Sequence, residues 1–325
     1  MHKNVLCLFL GSLKGLFSGT ATPLGFGDNS FSPEQGTRIY AIGDIHGYPD
    51  ALKAMLTKIH AEIKERPRQA AVIVFLGDYV DRGPGSKAVL DCLVHEKSLE
   101  QSDGIKRVFL TGNHDLALSG FIKNRVGACF SPFTTRALNN GLMETLDSYG
   151  ISCLLTRNLG ANSLRFPRSN YTINPQDLEA ARCRLIEVMP DSHKQFLATT
   201  EFSYTNGGYM FVHAAVDPAR PLDQQKDFYL AGLSKKARSF PEYQGALEKK
   251  IVHGHTISES PLSTGNQIGV DTGVFTHGLM TCAVLEGNNI RFLQTRTALP
   301  AFNPEATYQK FFSGETSFEE PSFQR

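Results

Sequence analysis

The sequence predicts an α/β fold built on a βαβαβ core with a mainly parallel sheet covered on both faces. Three observations predict it. Short apolar, β-branched runs alternate with segments of helical period, the runs lack the polar alternation of a half-exposed sheet, and each ends in a glycine-containing turn. With 325 residues and 41% hydrophobic content the chain can bury a sizeable core, as one large domain or at most two, and global disorder is excluded.

The first run, "RIYAIGD" from Arg38, reads as a buried strand closed by turn residues. In "PDALKAMLTKIHAEIKER", Ala51, Leu52, Met55, Leu56, Ile59 and Ile63 recur at helical spacing. Pro49 and Asp50 open this helix and basic residues lie near its end, as the helix dipole favours. His60 within it reads as a packing or surface residue. "AAVIVFLGD" is a second strand, "SKAVLDCLVHEK" a second helix and "IKRVFLTGNHD" a third strand. An insert at about 118–200 follows, with helices expected at "NNGLMETLDSYG" and "NPQDLEAARCRLIEVM" around the loop "RNLGANSLRFPRSNY". It reads as an element flanking a cleft, either setting substrate choice or serving as a structural cap. Two more apolar strands, "YMFVHAAVDP" and "KKIVHGHTIS", come after it.

The flanks differ from this body. Residues 1–37 form an apolar segment, "MHKNVLCLFLGSL", and a Gly/Ser/Thr/Pro-rich linker; 38–297 is the expected folded domain and 298–325 a weakly ordered tail. Lys14 interrupts the apolar segment, and no run approaches the roughly 18 uncharged residues of a membrane-spanning helix. A cytoplasmic location is therefore expected, or a secreted or periplasmic one if the N-terminal segment is cleaved as a signal. Lys+Arg 33 against Asp+Glu 32 gives a charge of +1, so no bulk positive field exists to hold a nucleic acid. The six cysteines are scattered without a C-x-x-C pair, which suggests neither a zinc knuckle nor a disulfide framework.

The polar residues cluster where the strands end. The first turn carries Asp44 and His46, the second Asp78, Asp81 and Arg82, the third Asn113, His114 and Asp115; the later strands end in His213 and in His253 and His255. An isolated Asp-x-His is most often a turn former, but five strand ends loaded in this way are hard to explain as packing. The C-terminal ends of strands are where open α/β sheets bind ligands. Carboxylate, imidazole and amide donors without thiolates suit divalent ions of the Mn, Fe or Zn type.

These pieces resemble the calcineurin-like metallophosphoesterases, and within them the phosphoprotein phosphatase branch with its bacterial serine/threonine-phosphatase-like members. The resemblance covers roughly Arg38 to Thr297 and rests on "GDIHG", "GDYVDRG", "GNHD", "VHA" and "HGHT", with 29 residues (48–76) and 28 residues (84–111) between the first three motifs. It implies a β-sandwich of two mixed sheets flanked by helices, and two divalent metal ions, with Mn2+ expected and Fe or Zn as alternatives. Asp44 and His46 would hold the first ion, Asp78 would bridge, and Asn113, His213 and His255 would hold the second. His253 would be a strand residue or a supporting partner. The implied activity is a phosphomonoesterase, a serine/threonine protein phosphatase acting on phosphoprotein or phosphopeptide. Hydroxide bridging the ions would attack phosphorus in line, His114 would be the general acid, Asp81 would orient it and Arg82 would bind the phosphate. Relatives also include symmetrical dinucleoside tetraphosphate hydrolases, which supply the alternative reading; a metal-binding scaffold without turnover is a third.

Two departures from the family pattern stand out. Asp115 occupies a position where the phosphatases usually carry Glu, which is expected to weaken supporting contacts. Gly232, in "DFYLAGLSKKARSF", lies near the place of a second phosphate-binding arginine. Arg220, Arg238 or the Lys235–Lys236 pair are the alternatives for that role, against a site relying on Arg82 alone.

Overall fold

The computed structural model describes residues 31–66, 69–123, 141–151, 164–165, 172–173, 175–234, 240 and 247–299. By compactness the chain divides into Met1–Ser30 and Phe31–Arg325, and all described residues belong to the second unit. The N-terminal apolar segment, most of the loop at 157–171, the basic residues Lys235, Lys236 and Arg238, and the tail beyond Leu299 lie outside the described residues.

Strand β1 (Thr37–Ile42), helix α1 (Pro49–Glu65), β2 (Ala70–Phe75), α2 (Ser86–Asp103) and β3 (Lys106–Phe109) form the expected βαβαβ unit. β1 pairs in parallel with β2, and β2 with β3. α3 (Asn113–Lys123), α4 (Leu142–Ser148), a short hairpin of β4 (Leu164–Arg165) and β5 (Thr172–Ile173), α5 (Pro175–Val188) and α6 (Asp191–Ala198) follow. A second group of strands comprises β6 (Ser203–Asn206), β7 (Tyr209–Val212), β8 (Lys250–His253), β9 (Leu262–Ser263) and β10 (Gln267–Gly269), with a single turn of helix, α7 (Asp227–Leu230), between β7 and β8. The last elements are α8 (Val274–His277), β11 (Leu279–Glu286) and β12 (Asn289–Arg296).

Two five-stranded sheets result, ordered β12-β11-β1-β2-β3 and β6-β7-β8-β10-β9. Both are mixed. β11 and β12 add antiparallel strands to the parallel core of the first, while β7, β8 and β10 are parallel in the second with antiparallel edges. The β1 run is continuously apolar because its two faces go to different cores. Ile39 and Ala41 enter the space between the sheets with Val72, Val74, Phe211, Val252 and Ile268, whereas Tyr40 and Ile42 face α1 and α2 with Leu52, Met55 and Leu90. At about 25 cal/mol per Å² of apolar surface, two such layers are the main stabilising contribution. They leave the C-terminal ends of β1, β2, β3, β7 and β8 at a common edge. No helix among the described residues is long and apolar enough to cross a membrane.

Candidate metal centre

Each strand delivers its polar residue just past its last hydrogen-bonded position. The first two turns are locked together: the amides of Ile45 and His46 donate to the carbonyl of Asp78 (3.1 and 2.9 Å), and Gly83 N donates to His46 O (2.9 Å). Among the described residues five non-glycines have positive φ, namely His46, Asp78, Asp81, Arg82 and His255. Four lie in these two turns and His255 in the turn after β8. Left-handed backbone costs a side chain free energy, so its confinement to one edge marks a site where ligand placement outweighs local preference. Gly112 and Gly254 serve the same end, since a β-carbon at either would collide with Oδ1 of Asp78 or of Asp44.

The side chains converge on Asp78. Its Oδ2 lies 3.6 Å from His46 Nε2, 3.4 Å from His213 Nε2 and 3.9 Å from His114 Nε2, and its Oδ1 accepts from His114 N at 2.9 Å. Asp44 Oδ2 is 3.8 Å from His46 Nε2, and its Oδ1 accepts from His255 N at 3.0 Å. Asn113 Oδ1 is 3.3 Å from His213 Nε2, and the His213 and His255 rings meet edge to face at 5.0 Å. Among the described residues two groups close enough to hold an ion emerge: His46, Asp78 and His114, and Asp78, His213 and His255. Asp78 belongs to both.

The donor chemistry fits a cation. His46 Nδ1 meets Val80 O at 3.0 Å and His213 Nδ1 meets Leu76 O at 2.9 Å, so each Nδ1 carries a proton and Nε2 is turned toward carboxylate or amide oxygens. Burial, reinforced by His114, pushes His46 down to about 3, leaving its Nε2 lone pair open. Burial also acts downward on His213, but Asp78 and then Asp44 overcome it and push the imidazole up to about 10. That proton affinity reports the pull of the carboxylates on any cation at this point, and a metal arriving there would displace the proton. Asp78 itself, despite burial, is held well below the usual carboxylate range by His213, His114 and His46.

Beside this cluster, His114 Nδ1 donates to Asp81 Oδ2 at 2.8 Å. Burial opposes protonation of His114, but Asp78 and Asp81 outweigh it and raise its pKa. Arg82 is half-buried, with its guanidinium carbon 5.1 Å from the centre of the Phe275 ring; that ring also packs edge to face on His46 at 4.9 Å. Asp44, His46, Asp78, Asn113, His213, His255, His114, Asp81 and Arg82 are thus gathered at one edge. His253 is not part of the cluster, since its Nε2 meets Gln267 Oε1 at 3.1 Å. Asp115 is buried beside the cluster. The short side chain accepts from the amides of Asp78 (2.8 Å), Tyr79 (2.9 Å) and Gly112 (3.0 Å), tying the second turn to the third. Arg220 is exposed and pairs with Asp217 at 3.3 Å.

Sequence reading missed three contributors. Thr145 on α4 binds Asp81, Phe275 on α8 packs on Arg82, and buried Asp271 adjoins Asp44. A signal existed for the first: Thr145 is a polar residue on the buried face that carries Leu142 and Leu146. Phe275 and Asp271 lie in "GVDTGVFTHG", whose meaning depends on long-range packing.

The sequence is 42% identical over 79 residues to a symmetrical bis(5'-nucleosyl)-tetraphosphatase of Salmonella arizonae, covering 24% of each chain. It is 39% identical over 83 residues to one of Legionella pneumophila, covering 26% of each. The chain therefore matches only about a quarter of the length of these curated relatives. A solved structure provisionally named a diadenosine tetraphosphatase superposes with a TM-score of 0.50 at 17% identity, over 82% of this chain and 97% of that one. A cold-active protein-tyrosine phosphatase of a Shewanella species gives 0.49 at 15% identity, over 84% and 85%. The model of the calcineurin-like phosphoesterase family matches residues 37–259, more than half of the sequence, and the chain belongs to that family.

Proposed function

We propose that the chain is a dinuclear-metal phosphomonoesterase, and within that class a serine/threonine protein phosphatase acting on phosphoprotein. The observation that carries the reading is the His114–Asp81 pair at 2.8 Å with His114 Nε2 turned toward the shared carboxylate of Asp78. Asp44, His46 and Asp78 would hold one ion, and Asp78, Asn113, His213 and His255 the other. Two divalent ions, Mn2+ in this reading, would supply a nucleophile near neutral pH and neutralise charge on the phosphoryl oxygens.

The chain's own residues do the rest. Arg82 presents a planar fork to two phosphoryl oxygens, held in place by the face of Phe275. His114 keeps one proton on Nδ1 for Asp81 and delivers the other from Nε2 to the departing alkoxide. Asp81 holds the ring in plane and stabilises its charged form. Among the described residues Arg82 is the guanidinium felt by both His46 and His114, while Arg220 pairs with Asp217, which supports a substrate with one phosphoryl group over a polyphosphate chain.

The names of the curated relatives support a second reading, hydrolysis of symmetrical dinucleoside tetraphosphates. Assay of Mn2+-loaded protein against phosphoserine and phosphothreonine peptides and a dinucleoside tetraphosphate separates the two. Higher kcat/KM on the peptides is expected. Preference for the dinucleotide would replace the first reading with the second.

A further inference from the structure

We infer that Thr145 is a positioning residue for the general acid: its hydroxyl fixes Asp81 so that the carboxylate presents Oδ2 to His114. The inference rests on the reading of His114 as the acid that protonates the leaving group.

The hydrogen-bond inventory determines the arrangement. Thr145 and Ser86 are both fully buried. Asp81 N donates to Thr145 Oγ1 at 3.0 Å and to Ser86 Oγ at 3.1 Å, so both hydroxyl oxygens act as acceptors toward this amide. Thr145 has a single hydroxyl proton, and Oγ1 lies 2.6 Å from Asp81 Oδ1, an acceptor. That proton is committed to the carboxylate. The Ser86–Thr145 contact at 3.1 Å must then be a donation from Ser86 to Thr145. A directed chain results: Ser86 O–H to Thr145, Thr145 O–H to Asp81 Oδ1, and His114 Nδ1–H to Asp81 Oδ2.

Thr145 grips Asp81 at two points, amide and carboxylate, across a residue whose backbone has φ 71°. Without the hydroxyl, Oδ1 loses the Thr145 donor at a buried carboxylate, which is then free to rotate about χ2 away from Nδ1. The grip is supported from behind. Ser148 Oγ accepts from Lys87 N at 3.1 Å, fastening α4 to the start of α2, where Ser86 lies. Beyond the helix, Tyr149 Oη meets His193 Nδ1 at 2.8 Å, and His193 Nε2 meets Asp91 Oδ1 at 3.0 Å, tying it to α6 and α2. The placement of the acid is thereby inherited from α4, outside the strand-end motifs.

The experiment compares full-length wild type, Thr145→Val and Thr145→Ser, each loaded with Mn2+, on a phosphoserine peptide and on 4-nitrophenyl phosphate, with bound metal counted. An alkoxide needs a proton to leave and a nitrophenoxide hardly does, so misplacement of the acid should split the two substrates. Thr145→Val is expected to lower kcat about 10- to 100-fold on the peptide and under about threefold on the aryl ester, with KM and metal content unchanged. Thr145→Ser, which keeps the hydroxyl, should restore the peptide rate. Equal losses on both substrates, no loss, or a serine variant as impaired as valine would overturn the inference while leaving the phosphatase reading intact. If the valine variant does not fold, Ser86→Ala, which removes the donor to Thr145, takes its place and must show the same split in weaker form. Wild type that releases no phosphate from either substrate with metal overturns both the reading and the inference.

Discussion

Gly232 lies against the imidazole of His255: a β-carbon built on it would sit 2.8 Å from Cε1 and 2.9 Å from Nε2. Its φ of +74° adds a backbone reason for glycine. This position therefore cannot carry an arginine as the chain is folded, and the segment from α7 supports a histidine of the cluster instead. Ala214 N donating to Leu230 O at 2.8 Å holds that segment to the strand of His213. Gly232→Ala should weaken Mn2+ binding by about 10- to 100-fold through displacement of His255, as read by metal titration of apo-protein. Unchanged affinity would mean that His255 holds no ion.

With position 232 closed to a side chain, the proposed phosphate contact falls, among the described residues, to Arg82. Arg82→Ala should cost about 2–4 kcal/mol in kcat/KM, and Arg220→Ala under about 1 kcal/mol, because Arg220 is an exposed partner of Asp217. Comparable losses for the two would place Arg220 in the site.

His114 stands at the boundary between binding and chemistry, because its Nε2 is also near enough to Asp78 to join an ion. His114→Asn should retain bound metal and lower kcat by about 10²–10⁴-fold on alkyl phosphates. Metal content measured alongside the rate decides the matter. If the two fall together, His114 is a ligand.

Far from this edge, Glu286 is pushed down to about 2 by Arg38, against a partial burial penalty and with help from Gln69 and Arg66. A depressed carboxyl favours the folded state above its unfolded pKa, near 4.5, and that contribution disappears as pH falls toward 2. Glu286→Gln should thus lower stability at neutral pH and flatten its decline between those limits. Denaturant melts at pH 7 and pH 3 check this, and a variant that loses the same stability at both would contradict it.

How much of this was legible in the sequence follows from the range of each interaction. Asp44, His46, Asp78, Asn113, His213 and His255 could be read as candidate ligands because each sits within a few residues of the strand that aims it. The βαβαβ unit was readable for the same reason, although α2 continues to Asp103 through the polar "SLEQSD" until Gly104 ends it in the left-handed region. The second sheet was harder. β9 and β10 are only two and three residues long, and β6 is the polar "SYTN", too short for a period to show. The antiparallel return of β11 beside β1 is set by packing across the whole chain, so a mainly parallel sheet was the natural local reading of what is a mixed one. Thr145 and Phe275 exemplify the remainder, since their roles depend on partners 64 residues away in one case and on α8 folding over the β2 turn in the other.

The central claim is that Asp78, shared by both clusters, holds two ions on which turnover depends. Its most direct test is phosphate release from a phosphoserine peptide by metal-stripped protein as Mn2+ is added, with bound metal counted in wild type and Asp78→Asn. Release should be absent in chelator, rise as two ions bind per chain and reach a higher plateau with Mn2+ than with Mg2+, whereas Asp78→Asn should lose metal first and activity with it. Full turnover in excess chelator, or an Asp78→Asn chain that keeps both ions, would contradict the account.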